Sequence, residues 1–231
     1  MAFKVFCLFI YATKGFIIMI KAVLWDFGGV ITTSPFKVFN QFEIENNIPR
    51  DFIRGINATN PETNAWALFE SSRISLEEFD RKFEEETRAA GHPVPGKKVL
   101  ELLSGDIRPK MVRALKICKQ HFTIGCITNN MRSKEGPATA KTAEKTARVQ
   151  AIMEMFDVVV ESSKEGIRKP DPEIYRIALS RMNAPAEQTA FLDDLGINLK
   201  PARVLGMKTI KVLNETQALT DLGRITGLNF L

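Results

Sequence analysis

Four short stretches of this chain carry side chains whose types and positions suit chemistry. In LWDFGGVITT (24–33), a single carboxylate, Asp26, ends an apolar run and is followed by Gly28 and Gly29. Thr128-Asn129-Asn130 closes a second apolar run, and Asp193-Asp194 closes another, with Gly196 and Asn198 just beyond. Arg168-Lys169-Pro170-Asp171-Pro172 sets a lysine ahead of a helix start. Taken singly, each has an ordinary structural reading: strand-end acids cap turns, and a lysine beside a cap is commonly solvated. Together they supply a carboxylate nucleophile, hydroxyl and amide donors, a cation and a second carboxylate pair. That set suits phosphoryl transfer, in which oxygen-ligated Mg2+ and a lysine offset phosphate charge while a nucleophile attacks in line.

The elements that must position these groups follow from hydrophobic patterning. Short apolar runs at 21–27, 122–128, 157–161, 189–193 and 208–213 read as buried strands. From 122 onward they alternate with helical patterns at 147–155, 172–182 and 197–205, the signature of βαβ units. Asp171 and Pro172 form a cap and first-turn pair for the 172–182 helix. The expected fold is α/β: a Rossmann-like parallel sheet with helices on both faces, plus a small helical module inserted after the first strand. In an open parallel sheet the carboxyl ends of the strands are where ligands bind; three of the stretches map there, and the fourth puts Lys169 just ahead of a helix start, so that together they converge on one edge of the sheet. The insert spans 35–107, where aromatic residues recur at helical spacing: Phe36, Phe39 and Phe42, then Trp66 and Phe69, then Phe79 and Phe83. Ser75 with Glu78 forms a capping box. Residues 131–146 lack large apolar side chains and read as an exposed loop.

Composition narrows the remaining choices. With 45% hydrophobic and 26% charged residues, the chain of 231 residues is expected to fold around a sizeable core. Its net charge of +5 is spread among acids rather than gathered in a block, which argues against a nucleic-acid surface. Cys7, Cys118 and Cys126 show no CxxC spacing, and the last two sit in apolar surroundings, as expected of a cytoplasmic protein. His92 and His121 lie far apart and offer no metal or nucleophile site. Residues 1–18 are apolar apart from Lys4 and Lys14; Lys14 interrupts the run that a signal peptide needs, and Lys14 with Lys21 prevents a membrane span, so neither is expected. They read as an N-terminal extension, or as a start placed ahead of the true one at Met19.

WDFGGV, ITNN, GIRKPDPEIY and FLDDLGINLKPARVLGM resemble, in order, the four motifs of the haloacid dehalogenase superfamily. The resemblance runs from Lys21 to Leu231 and is strongest to the N-terminal phosphatase domain of soluble epoxide hydrolase and of acyl-CoA dehydrogenase family member ten. It implies an α/β core of 19–34 and 108–231 with 35–107 as a cap domain. It further implies that Asp26 is a nucleophile forming an aspartyl-phosphate. Thr128 and the backbone N–H of Asn129 would hold phosphate oxygens, and Lys169 would neutralise the phosphate and orient Asp26. Mg2+ would be held by Asp26, the backbone carbonyl of Gly28 and Asp194, with Asp193, Asn198 and Gly29 in support. The implied activity is hydrolysis of a small phosphorylated metabolite. The oligomeric state stays open.

One position departs from the pattern. Phosphatases of that superfamily carry a second aspartate two positions after the nucleophile, which protonates the leaving group and activates water. Here that position is Gly28. Two alternatives follow: a 2-haloacid dehalogenase-type hydrolase, whose branch also lacks the second aspartate, or a phosphate-ligand-binding module without turnover. Phe27 and Val30 depart from the dehalogenase motif, and a metal-free dehalogenase would leave Asp193-Asp194 less well explained.

Overall fold

The computed structural model describes residues 19–103, 105–130 and 143–231. Five apolar segments pair in parallel: β1 (Ala22–Trp25), β2 (Thr123–Thr128), β3 (Val158–Glu161), β4 (Thr189–Asp193) and β5 (Lys208–Lys211), in the order β3-β2-β1-β4-β5. β1 takes the centre, pairing Ala22 with Thr123 on one side and with Thr189 on the other. All four of its residues are fully buried. A strand covered on both faces has no need of polar alternation, hence the unbroken AVLW.

The two-residue period of a strand sends alternate side chains to opposite faces. Val23 and Trp25 pack with Met111 and Leu115 of α6 (Pro109–His121) and Leu219 and Leu222 of the C-terminal helix Glu215–Thr226. Ala22 and Leu24 pack on the other face, with Ile174, Tyr175 and Ala178 of α9 (Pro172–Met182) and Leu199 and Ala202 of α10 (Gly196–Val204). The C-terminal helix is α11. Asp171 caps α9 by accepting from the Glu173 N–H at 2.9 Å, with Pro172 at its first position. Short helix α8 (Ser162–Glu165) follows β3 directly.

Between β1 and α6 lie five helices: α1 (Phe36–Glu45), α2 (Phe52–Ala58), α3 (Ala65–Glu70), α4 (Leu76–Ala89) and α5 (Gly96–Glu101). They close around a hydrophobic cluster of their own, in which Phe39, Phe69, Phe79 and Phe83 are buried and Phe36, Phe42 and Trp66 pack at its margin. Phe69 and Phe79 stack with ring centroids 4.6 Å apart. The expected capping box opens α4: Ser75 Oγ accepts from the Glu78 N–H at 3.2 Å, and the Glu78 carboxylate accepts from the Ser75 N–H at 3.0 Å. The chain enters and leaves this module side by side, through an antiparallel bridge between Thr32 and Ile107 and hydrogen bonds from Thr33 N to Asp106 O (2.8 Å) and Arg108 N to Ile31 O (2.9 Å).

The expected strand ends contract by a few residues, because 21–27 and 208–213 include flanking turns. A larger correction concerns the loop expected at 131–146. Residues 131–142, like the proposed extension 1–18, lie outside the described residues, but α7 (Ala143–Met153) already includes 143–146. The loop reading rested on missing apolar bulk, whereas Ala143, Glu144 and Lys145 are good helix formers that need none. Val149 and Ile152 supply the buried face, and the helix ends at Met153 rather than 155. Among the described residues, no helix is long and apolar enough to cross a membrane.

Candidate active site

β1 passes onward to β2 on one side, and β4 passes onward to β5 on the other. The crevice at their carboxyl ends is therefore the switch point of the sheet, where neighbouring crossovers leave in opposite directions. Asp26 directly follows β1, its N–H donating to Leu192 O at 2.9 Å, and Asp193 is the last residue of β4. The topology sets two carboxylates against each other with no help from the loops.

Lys169 enters between them. Its Nζ lies 2.8 Å from Asp26 Oδ1 and 2.7 Å from Asp193 Oδ2, with 1% of the side chain exposed. Asp193 is fully buried and held by three further donations: Leu195 N to Oδ1 at 2.8 Å, and Asn198 Nδ2 to both carboxylate oxygens at 3.1 Å. Asn198 is anchored in turn by the Tyr175 hydroxyl, which donates to its carbonyl at 2.7 Å. On Asp26 the backbone N–H of Phe27 meets the same Oδ1 at 2.7 Å that faces Lys169.

Asp194 completes a cluster in which carboxylate oxygens of Asp26, Asp193 and Asp194 lie within 4.8 Å of one another. Gly29 makes this approach possible. It has a φ of +76°, and a Cβ there would sit 2.1 Å from Asp194 Oδ2.

Three acids share one buried ammonium, and the titration behaviour follows from that imbalance. Burial pushes the Asp26 carboxyl well above the ordinary carboxylate range, with Asp193 and Asp194 adding to the rise and Lys169 opposing it. Burial, then Asp193, raises Asp194 to about 6. Burial alone would lower the Lys169 ammonium, but Asp193 and Asp26 outweigh it and the net shift is upward, so Lys169 stays charged. The cluster thus sets three carboxyl groups against one ammonium, in a cradle that a Cβ at residue 29 would fill. That donor set suits a hard cation with oxygen ligands.

Of the residues expected at this site, Asp26, Lys169, Asp193, Asp194, Asn198 and Gly29 are brought into one cluster by direct contact or close approach. Thr128, nine-tenths buried, and Asn129 stand at the end of neighbouring β2, and Gly28 lies in the turn after Asp26. The Asn129 side chain has a task that sequence reasoning missed. Its Oδ1 accepts from Lys169 N at 2.9 Å and its Nδ2 donates to Lys169 O at 3.0 Å, fixing the lysine's backbone from both sides. Sequence reasoning also missed Glu70, which reaches Asn129 and Arg168 from α3. The available signal was a lone acid in the apolar helix AWALFE.

The sheet is covered on both faces and carries an acid–lysine–acid cluster at its switch point, where open α/β sheets hold their ligands. The chain belongs to the haloacid dehalogenase-like hydrolase family, whose model matches residues 20–206. It is 34% identical over 221 residues to mouse acyl-CoA dehydrogenase family member 10, a match covering 90% of this chain and 19% of that protein. It is 28% identical over 223 residues to mouse bifunctional epoxide hydrolase 2, covering 91% of this chain and 40% of that one. The chain therefore spans less than half the length of either relative. A sesquiterpene phosphatase of Aspergillus oryzae, astK, is 24% identical over 210 residues, 90% of this chain and 97% of that protein. Among solved structures, the HAD-hydrolase YfnB from Bacillus subtilis, bound to magnesium, superposes with a TM-score of 0.60 at 18% identity, covering 91% of this chain and all of that one.

Proposed function

We propose that the chain is a Mg2+-dependent phosphatase that hydrolyses a small phosphorylated metabolite through an aspartyl-phosphate on Asp26. The observation that carries this reading is the Asp26–Lys169–Asp193 ion-pair chain, with Asp194 close by, at the switch point of the sheet. With Oδ1 held by Lys169 and the Phe27 N–H, Asp26 has its other oxygen, Oδ2, to attack phosphorus in line as the bond to the leaving oxygen breaks. Thr128 and the backbone N–H of Asn129 would hold the non-bridging oxygens. Lys169 would face the charge gathered there, and Asn198 would keep Asp193 on Lys169. Water then attacks the phosphorus of the acyl phosphate, releasing phosphate and restoring the Asp26 carboxylate. Mg2+, held by Asp26, Asp194 and the Gly28 carbonyl, would supply positive charge against the phosphate oxygens.

Residues 35–107 would act as a cap over the core formed by 19–34 and 108–231, with the paired connectors at Thr32 and Ile107 as the hinge. Buried free Cys118 and Cys126 suit a cytoplasmic setting. The full-length match to astK, named a phosphatase, supports phosphoryl chemistry over dehalogenation. The test is a phosphate-release screen across a metabolite panel with and without Mg2+, using Asp26→Asn as the control. Release by the parent that needs Mg2+ and vanishes in Asp26→Asn is the expected result. Gly28 favours one second reading, a binding module without turnover. Tight binding of phosphorylated ligands with no release from any of them would put that reading first.

A further inference from the structure

The helical module meets the core through a buried polar seam centred on Glu70, the last residue of α3 and 6% exposed. Glu70 Oε1 accepts from Trp66 Nε1 at 2.9 Å within the module. Its Oε2 accepts from two core residues, Arg168 Nε at 2.7 Å and Asn129 Nδ2 at 3.3 Å, and its backbone carbonyl accepts from Ser162 Oγ at 2.8 Å. Arg168 also grips the module at a second point, donating from NH1 to Pro61 O at 2.9 Å. Ser72 Oγ adds a donation to Ser163 O at 3.0 Å.

The two residues that Glu70 Oε2 touches both bear on the backbone of Lys169. Arg168 precedes it in the chain, and the Asn129 amide clamps its backbone N–H and carbonyl. An apolar contact would dock the module without the cost of burying a carboxylate and partly burying a guanidinium. Buried ion pairs contribute little net stability, and their best-attested use is to specify one arrangement over others. We propose that Glu70 is a positioning residue. Docked on the core, it fixes Asn129 and Arg168, and through them Lys169, so that closing the module and setting the active lysine are one event. This rests on the phosphatase reading for its effect on rate, but the closure itself can be read independently.

Glu70→Gln keeps the volume and an acceptor for Trp66 while removing the charge that holds Arg168. The expected result is a fall of roughly 10- to 100-fold in kcat/KM for phosphate monoesters, since small misplacements of catalytic groups cost that much. Spin labels at exposed Ala89→Cys and Lys116→Cys report the distance between α4 of the module and α6 of the core. The parent should give one narrow distribution, and Glu70→Gln an additional longer one. Arg168→Met should give a comparable loss, and the double variant clearly less than the sum of the singles, because the two share the Glu70–Arg168 contact. Unchanged kcat/KM in Glu70→Gln, or a loss additive with Arg168→Met at an unchanged label distance, overturns the proposal. Should Glu70→Gln fail to fold, Arg168→Lys replaces it, since that substitution keeps the charge but not the fork reaching Glu70 and Pro61. If the parent releases phosphate from no substrate, the phosphatase reading fails, and the label distances alone decide: a second population upholds the latch, and identical distributions reject it.

Discussion

Gly28 and Gly29 are adjacent, yet the structure treats them oppositely. No heavy atom lies within 4 Å of a Cβ built on Gly28, whereas one on Gly29 would collide with the Asp194 carboxylate. Gly28→Asp should therefore fold, and where protonation of the leaving group limits the rate it should raise kcat/KM on alkyl phosphates by up to about 10²–10⁴-fold. The gain should be small for p-nitrophenyl phosphate, whose leaving anion needs no proton. Lower activity on every phosphate would mean that the open space belongs to the substrate. Gly29→Ala should abolish Mg2+-dependent turnover, measured as phosphate release. Lys169→Met should also be inactive, and it strands two buried carboxylates at a cost of about 3–5 kcal/mol by denaturant melts at neutral pH. Because protonation discharges Asp26, the deficit should shrink as pH falls through its raised range. The acids and glycines were legible in the sequence, since strand ends announce themselves by an apolar run broken by a polar group, and the lysine stood just ahead of the Asp171-Pro172 helix start. Glu70 and the side-chain task of Asn129 were not: their partners lie 98 and 40 residues away, and local patterning carries no information about such contacts.

At the scale of elements, local rules succeeded at two boundaries that a cap fixes. Helix α9 runs from Pro172 to Met182 as expected, because Asp171 supplies the acceptor that starts it and Asn183 takes the left-handed conformation that ends it. Helix α4 starts at the Ser75 capping box for the same reason. Where no cap speaks, as at Ala143, propensity and tertiary packing decide, and the sequence-based boundary slipped. Ser75→Ala should cost about 1 kcal/mol, seen as a fall of roughly 2–4 °C in Tm. Phosphate release per folded molecule should be unchanged, since α4 contributes nothing to the carboxylate cluster. A much larger fall in Tm would show that the module unravels from that end.

For the whole molecule, the module's separate hydrophobic cluster and its paired connectors predict motion about one hinge rather than bending within the helices. Mg2+ with a metallofluoride phosphate analogue should slow proteolytic cleavage near Thr32–Pro35 and Leu102–Ile107, and an unchanged digestion pattern would argue for a module fixed in place. The central position of β1 has another consequence, for the chain as it is made. β1 leaves the ribosome about a hundred residues before Thr123 can pair with Ala22, and later still the other edge waits for Thr189. During that interval both edges of the most apolar strand in the sheet are bare, a state prone to pairing with the wrong chain. The five helices that follow can meanwhile close around their own aromatic cluster, because their contacts are local and form quickly. On the nascent chain the inserted module can thus fold before the sheet does, and it lies beside the unpaired β1 until synthesis delivers its neighbours.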